Sequence, residues 1–238
     1  MSGPPAVRRD EVAKGLAAVR ARIETACVES GRSPDEVTLV VVTKFFPASD
    51  VRLLHDLGVT EVAENRHQEA LAKREACADL PMRWHFIGHL QSNKAAAVGA
   101  WADVVESVDR ARLLPGLSRA AHQRDTELDV LVQVSLDPPS ADRGRSGVAP
   151  EAAAQLALDV TVAEGLVLRG VMAVAPLGGD PVAAFARLGV VATEVRNQVP
   201  SATWVSAGMS GDLEQAVSAG ATHVRVGSAV LGNRRAPR

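Results

Sequence analysis

The feature that most constrains this chain is a recurrence of short, nearly unbroken runs of β-branched and other apolar residues, separated by stretches of helical character. The runs fall at residues 37–42, 59–62, 84–87, 104–105, 130–134, 167–174, 204–205 and 224–226. A run without polar alternation suits a strand covered on both faces, which is the signature of a parallel sheet. Helices are expected at residues 50–57 and 68–77, with another ending at Gly220. Alternating helices and eight short strands predict an α/β fold, a single parallel (β/α)8 TIM-type barrel. An open doubly wound sheet is the alternative. Ahead of the first strand, Val12, Leu16, Val19, Ile23 and Cys27 recur at steps of three and four, opposite Arg20, Arg22 and Glu24. That stripe predicts an extra N-terminal helix packed on the barrel by one face. It ends near Gly31, and Ser33-Pro34-Asp35 turns the chain into the first strand. A length of 238 residues suits one barrel, so residues 1–238 are expected to form a single domain.

Charge and composition narrow the function classes. The net charge is −2 with both signs interspersed, which argues against a nucleic-acid footprint or a polybasic membrane surface. No segment reaches the roughly 18 apolar residues that a bilayer requires, and residues 1–9 lack the apolar centre of a signal peptide. A soluble, cytoplasmic protein with a small-molecule partner is expected. Cys27 and Cys77 stand apart from any metal-ligand spacing and read as idle thiols. Residues 137–150, rich in Pro, Gly, Ser and Arg, read as a long surface loop, and residues 233–238 as a fraying tail.

In a β/α barrel the residues just past each strand converge on one mouth, where chemistry is to be sought. Lys44 follows Val40-Val41-Val42-Thr43 in such a place. Apolar walls there can favour the neutral amine that attacks an aldehyde, as Schiff-base chemistry requires. The plain alternative is a lysine extending into solvent. After the seventh strand, Ser206-Ala207-Gly208-Met209-Ser210-Gly211 offers close backbone approach at Gly208 and a helix cap at Ser210. Gly227-Ser228-Ala229 follows the eighth, and the two junctions together suit a phosphate, although ordinary turn chemistry uses the same residues. Alternation along Val224-Arg225-Val226 turns Arg225 into the barrel, to face either a pyridine nitrogen or a carboxylate such as Glu64 or Glu106. Asn65, in Glu64-Asn65-Arg66, can hydrogen-bond a ring substituent or serve as a turn residue. His85 and His89 lack a third partner at zinc spacing and read as structural.

Taken in order, Val-Val-Thr-Lys44, Glu64-Asn65-Arg66-His67-Gln68-Glu69, Trp84-His85-Phe86-Ile87-Gly88-His89-Leu90-Gln91-Ser92-Asn93-Lys94, Ser206-Ala207-Gly208-Met209-Ser210 and Val224-Arg225-Val226-Gly227-Ser228 resemble the pyridoxal phosphate homeostasis proteins. These are relatives of the barrel domain of alanine racemase, and the resemblance runs from about Val37 to Gly232. It implies pyridoxal 5′-phosphate (PLP) as cofactor, joined to Lys44 as an internal aldimine, with Arg225 facing the pyridine nitrogen. It further implies Ser206, Gly208, Gly227 and Ser228 around the phosphate, and Asn65 near the ring. A role in intracellular vitamin B6 homeostasis without robust catalysis follows, with apo-enzymes that use PLP as recipients. Two positions depart from the family pattern: Phe46, where relatives often carry a second basic residue, and Arg145, where many have lysine.

Three functions therefore compete. A non-catalytic carrier needs only the covalent linkage and the phosphate contacts. A racemase-like PLP enzyme needs an opposing acid/base; tyrosine is absent from these residues, and no counterpart of the second domain that supplies one in alanine racemase is expected. A cofactor-free aldolase would use Lys44 on a sugar phosphate or keto acid. The carrier is the expected function, and a monomer the expected state.

Overall fold

The computed structural model describes residues 4–137 and 146–232, so Arg145, most of the expected 137–150 loop and the 233–238 tail lie outside the described residues. The chain opens with α1 (Pro4–Glu29) and then runs β1 (Thr38–Val42), α2 (Ala48–Asp56), β2 (Glu61–Glu64), α3 (His67–Ala76), β3 (Arg83–Phe86), α4 (Ala95–Gly99) and β4 (Val104–Val108). It continues with α5 (Leu114–Arg124), β5 (Leu128–Gln133), α6 (Ala153–Thr161), β6 (Leu166–Met172), α7 (Pro181–Gln198), β7 (Trp204–Ser206), α8 (Leu213–Ser218), β8 (His223–Val226) and α9 (Ser228–Leu231). The eight strands form a closed barrel in chain order, every neighbouring pair parallel. Closure comes from β8 pairing with β1, Val40 standing opposite Arg225 and Val41 opposite Val226. The open doubly wound alternative is thereby excluded.

The largest apolar core lies between strands and helices, because the outward residues of each strand meet the inward stripe of the next helix. The stripe of α1 from Val12 to Cys27 is wholly buried, and α1 packs along α8 and α9. Gly15 permits that approach: a Cβ there would sit 2.4 Å from the Val230 carbonyl oxygen. Arg8 ties the same corner together, donating to Asp50 Oδ2 at 2.5 Å and to the Leu231 carbonyl at 3.1 Å. Cys27 and Cys77 are buried free thiols, and among the described residues no helix is long and apolar enough to cross a membrane.

All eight strands differ from expectation by a residue or more at a boundary, and three of them show the reason. β2 was expected at residues 59–62 and lies at Glu61–Glu64; Val59 is buried, but in the loop. β4 extends past residues 104–105 through Glu106 and Ser107, both fully buried. β6 ends at Met172 rather than residue 174. Apolar runs mark buried segments, whereas this barrel interior accommodates charged residues on its strands.

Candidate active site at the barrel mouth

The carboxyl ends of the strands surround a cavity of about 920 Å³ whose wall includes Lys44, Asn65, Arg225, Gly227 and Ser228. Five of the seven expected site residues therefore meet in one place. Lys44 is half-buried just past β1, and Asn65 stands just past β2, so the two occupy adjacent positions on the rim. Asn65 lines the cavity, and its Oδ1 is buried with no hydrogen-bond partner among the described residues, an acceptor left unsatisfied. The backbone of Asn65 is held close by Gly88, where a Cβ would lie 2.1 Å from the Asn65 carbonyl oxygen.

Arg225 points inward as alternation requires, and it is 3% exposed. It lines the cavity while donating to Ser206 Oγ at 2.6 Å and to the Ala173 carbonyl at 2.8 Å. Glu106 Oε2 lies 3.6 Å away, so of the two carboxylates considered it is Glu106, and not Glu64, that neutralises the guanidinium. Burial lowers the Arg225 pKa from its usual value, and the Glu106 charge opposes that shift.

Ser206 and Gly208 lie behind this wall rather than on it. The Ser206 hydroxyl donates to Glu106 Oε2 at 2.6 Å and so bridges the carboxylate and Arg225. Gly208 has φ of +89°, and its carbonyl accepts the Arg225 backbone N–H at 2.9 Å; an added Cβ would meet Ala216 Cβ at 2.6 Å. Both residues shape the site through Arg225 and the β7–α8 turn. Ser210 does not cap α8, where Asp212 holds the N-cap position. Its hydroxyl instead faces Ser228 Oγ across the mouth at 3.3 Å and lies 3.4 Å from the Ala229 N–H. With Gly211 and Gly227 these groups line an end of the cavity rich in hydroxyls and bare backbone. Sequence reading missed Ser210 as a wall residue because a serine before a helix is most economically read as its cap.

Beneath Arg225 a chain of charges descends the barrel. His85 is fully buried, with Glu106 Oε1 2.7 Å from Nδ1 and Glu61 Oε2 2.7 Å from Nε2. Two carboxylate acceptors require both ring nitrogens to carry protons. Burial lowers the His85 pKa, but the two carboxylates outweigh it and raise the value to about 9. Burial likewise works against Glu106, yet His85 and Arg225 bring it down to about 2. His223, tilted against Trp204 at 4.2 Å, is driven the other way, to about 4, by burial and by the charges of His85 and Arg83. His85 is thus held between two carboxylates inside the barrel. His89 lies on the cavity wall and hydrogen-bonds Ser146 Oγ. Phe45, Phe46, Ile87 and Met209 supply apolar wall, and Phe46 occupies the place where a second basic residue was expected in relatives. Among the described residues no cluster of His, Cys, Asp or Glu could hold a metal ion.

A parallel barrel with a lysine past the first strand and an arginine on the eighth defines a class. The family described as alanine racemase, N-terminal domain, matches residues 16–235. More particularly, the chain belongs to the pyridoxal phosphate homeostasis protein family. The protein of that name from Mycobacterium bovis is 43% identical, with 96% of this chain and 95% of the relative covered. That from Pseudomonas aeruginosa is 39% identical over 94% of this chain and 96% of the relative. Among solved structures, PipY of Synechococcus elongatus with PLP bound is 33% identical, with a TM-score of 0.80 over 93% of this chain and all of PipY. Alanine racemase of Clostridium difficile, 13% identical with a TM-score of 0.70, shares the fold, and this chain spans 56% of its length.

Proposed function

We propose that this chain, as one barrel unit, binds PLP at its mouth through a Schiff base to Lys44 and serves intracellular PLP homeostasis as a carrier without turnover of its own. The observation that carries the proposal is the convergence on one cavity of an amine, an inward arginine and a hydroxyl-rich loop pair. The relatives' names and the PLP in PipY support the same reading. When bound, PLP supplies an aldehyde that condenses with a primary amine and a pyridine ring that withdraws electrons.

The chain's own residues would divide the work of holding it. Lys44 supplies the amine. Arg225, buried and always charged, presents N–H groups and no acceptor, so a pyridine nitrogen beside it stays unprotonated. Glu106 and Ser206 keep the guanidinium neutralised and oriented. Ser210, Gly211, Gly227 and Ser228 would receive the phosphate with hydroxyl and backbone donors, and Asn65 would meet a ring substituent. An unprotonated ring nitrogen weakens the electron sink, which suits retention of the cofactor more than substrate chemistry. Apo-enzymes that use PLP would be the recipients, and a monomer in the cytoplasm is the state proposed.

The test is an absorbance spectrum of the purified chain, followed by borohydride reduction and peptide mapping, with Lys44→Ala as control. A near-ultraviolet to violet band and an adduct on Lys44, both lost in Lys44→Ala, are expected. Failure to bind PLP in excess, or an adduct elsewhere, would overturn the reading and bring the cofactor-free aldolase forward.

A further inference from the structure

The buried cluster behind Lys44 has no part in the contacts described so far. Lys73 lies on α3, one turn after Glu69, and is 6% exposed. A buried ammonium must find acceptors for its three N–H groups. Lys73 Nζ donates to Glu64 Oε1 at 2.6 Å, to Glu69 Oε1 at 2.7 Å and to the Thr43 carbonyl at 2.7 Å. The same two carboxylates then reach the backbone and side chains that flank Lys44. Glu64 Oε1 accepts from Thr43 Oγ1 at 2.6 Å, and Glu69 Oε1 accepts from the Phe45 N–H at 2.5 Å. The residue before Lys44 is thus tied by its carbonyl and its hydroxyl, and the residue after it by its N–H.

The tie acts on a segment that would not hold its shape alone. Phe45 has φ of +71°, a left-handed conformation that costs a bulky residue on the order of 1–3 kcal/mol. Its ring is covered from outside by the Arg66 guanidinium, 4.9 Å from the centroid. Burying Lys73 with two carboxylates is a poor route to stability, since apolar residues of similar volume do as well or better. Glu64 even keeps one oxygen, Oε2, buried with no partner among the described residues, and burial raises its pKa. An arrangement with that cost, whose hydrogen bonds end on both neighbours of one lysine, fits a positioning device.

We propose that Lys73, acting through Glu64 and Glu69, fixes the backbone on both sides of Lys44 and so aims its amine into the cavity. These are positioning residues, and the inference rests on the PLP reading above. Misplacement of a reacting group by about 1 Å costs on the order of a hundred-fold in rate, so loosening this turn should slow attachment without altering the rest of the cavity.

Two probes separate the effects. PLP reports attachment, read as the rate of borohydride-trappable adduct on Lys44, while pyridoxine 5′-phosphate, which lacks the aldehyde, reports non-covalent binding alone. Lys73→Met is expected to slow attachment by about ten- to a hundred-fold, with pyridoxine phosphate affinity held within about two-fold. Glu69 lies partly at the surface, so Glu69→Ala carries the test if Lys73→Met does not fold. Glu69→Gln, which keeps an oxygen for the Phe45 N–H, should lose less than Glu69→Ala. Unchanged attachment in the variants, or an equal loss for both probes, overturns the positioning role and leaves the cofactor reading standing. A wild-type chain that binds neither probe overturns both.

Discussion

The two histidines inside the barrel should give stability a maximum near pH 6.5. His85 is raised from 6.5 to about 9 in the folded chain. At roughly 1.4 kcal/mol per unit, that difference is worth about 3 kcal/mol. Because the folded value is the higher one, the contribution is complete below pH 6.5 and is lost as pH climbs through 9. His223 behaves in the opposite sense, its folded value falling to about 4. Protons then bind the unfolded chain first, and stability falls between pH 6.5 and 4 by up to about 3 kcal/mol. The acid limb should steepen toward pH 4, because the carboxyls of Glu106, Glu61, Glu69 and Glu214, all held below their usual value in the folded chain, lose stability as pH falls and outweigh the gain at Glu64, which burial raises. Cys27 and Cys77, whose thiols burial raises in the folded chain, add to the alkaline loss as the unfolded thiols begin to ionise near pH 9. Urea unfolding at intervals from pH 4.5 to 9 measures the curve, and about 3 kcal/mol corresponds to a Tm change of roughly 6–12 °C for a chain this size. His85→Gln should be less stable throughout but flatter on the alkaline side. A wild-type chain equally stable at pH 6.5 and 9, or a His85 imidazole signal titrating below pH 7, would refute the reasoning.

Other perturbations follow from distances already given. Gly88→Ala forces a methyl against the Asn65 carbonyl and should cost about 1–3 kcal/mol or more in urea unfolding, with weaker pyridoxine phosphate binding because Asn65 must move. Glu106→Gln leaves His85 and Arg225 without their shared counter-charge; a loss of about 3–5 kcal/mol is expected, and the His85 imidazole should titrate at lower pH by NMR. Gly15→Ala pushes α1 from the Val230 carbonyl and should lower stability by about 1–3 kcal/mol, measured the same way.

The fold was legible because periodicity reports burial, and in a β/α barrel nearly every strand is buried. The same property explains what was misplaced. Val59 is buried without belonging to a strand, and Glu106 belongs to one without being apolar. At the site, Lys44 and Arg225 could be read from the sequence because their places depend only on strand ends and alternation. Ser206 was read as a phosphate neighbour, but its orientation toward Glu106 depends on a partner one hundred residues away in sequence. Nothing local marks Phe45 for a positive φ, since the hydrogen bond that holds it comes from Glu69 on another element. Lys73 has the spacing of an ordinary helix-surface pair with Glu69, and only the packing of α3 on the barrel reveals it as buried.

The pairing of β8 with β1 has a consequence for how the molecule opens. Lys44 follows the first strand, whereas Arg225 belongs to the last and Gly227 and Ser228 follow it, so any ligand touching all of them straddles the joint where the cylinder is shut. That joint cannot form until the final strand has been synthesised and brought back across the length of the chain, a late event in folding. A ligand there would act as a rivet across the circumference. Its occupancy should slow the first parting of the ring and protect the amides of Thr38, Leu39, Val40 and Val41 from hydrogen exchange more than those on the far wall.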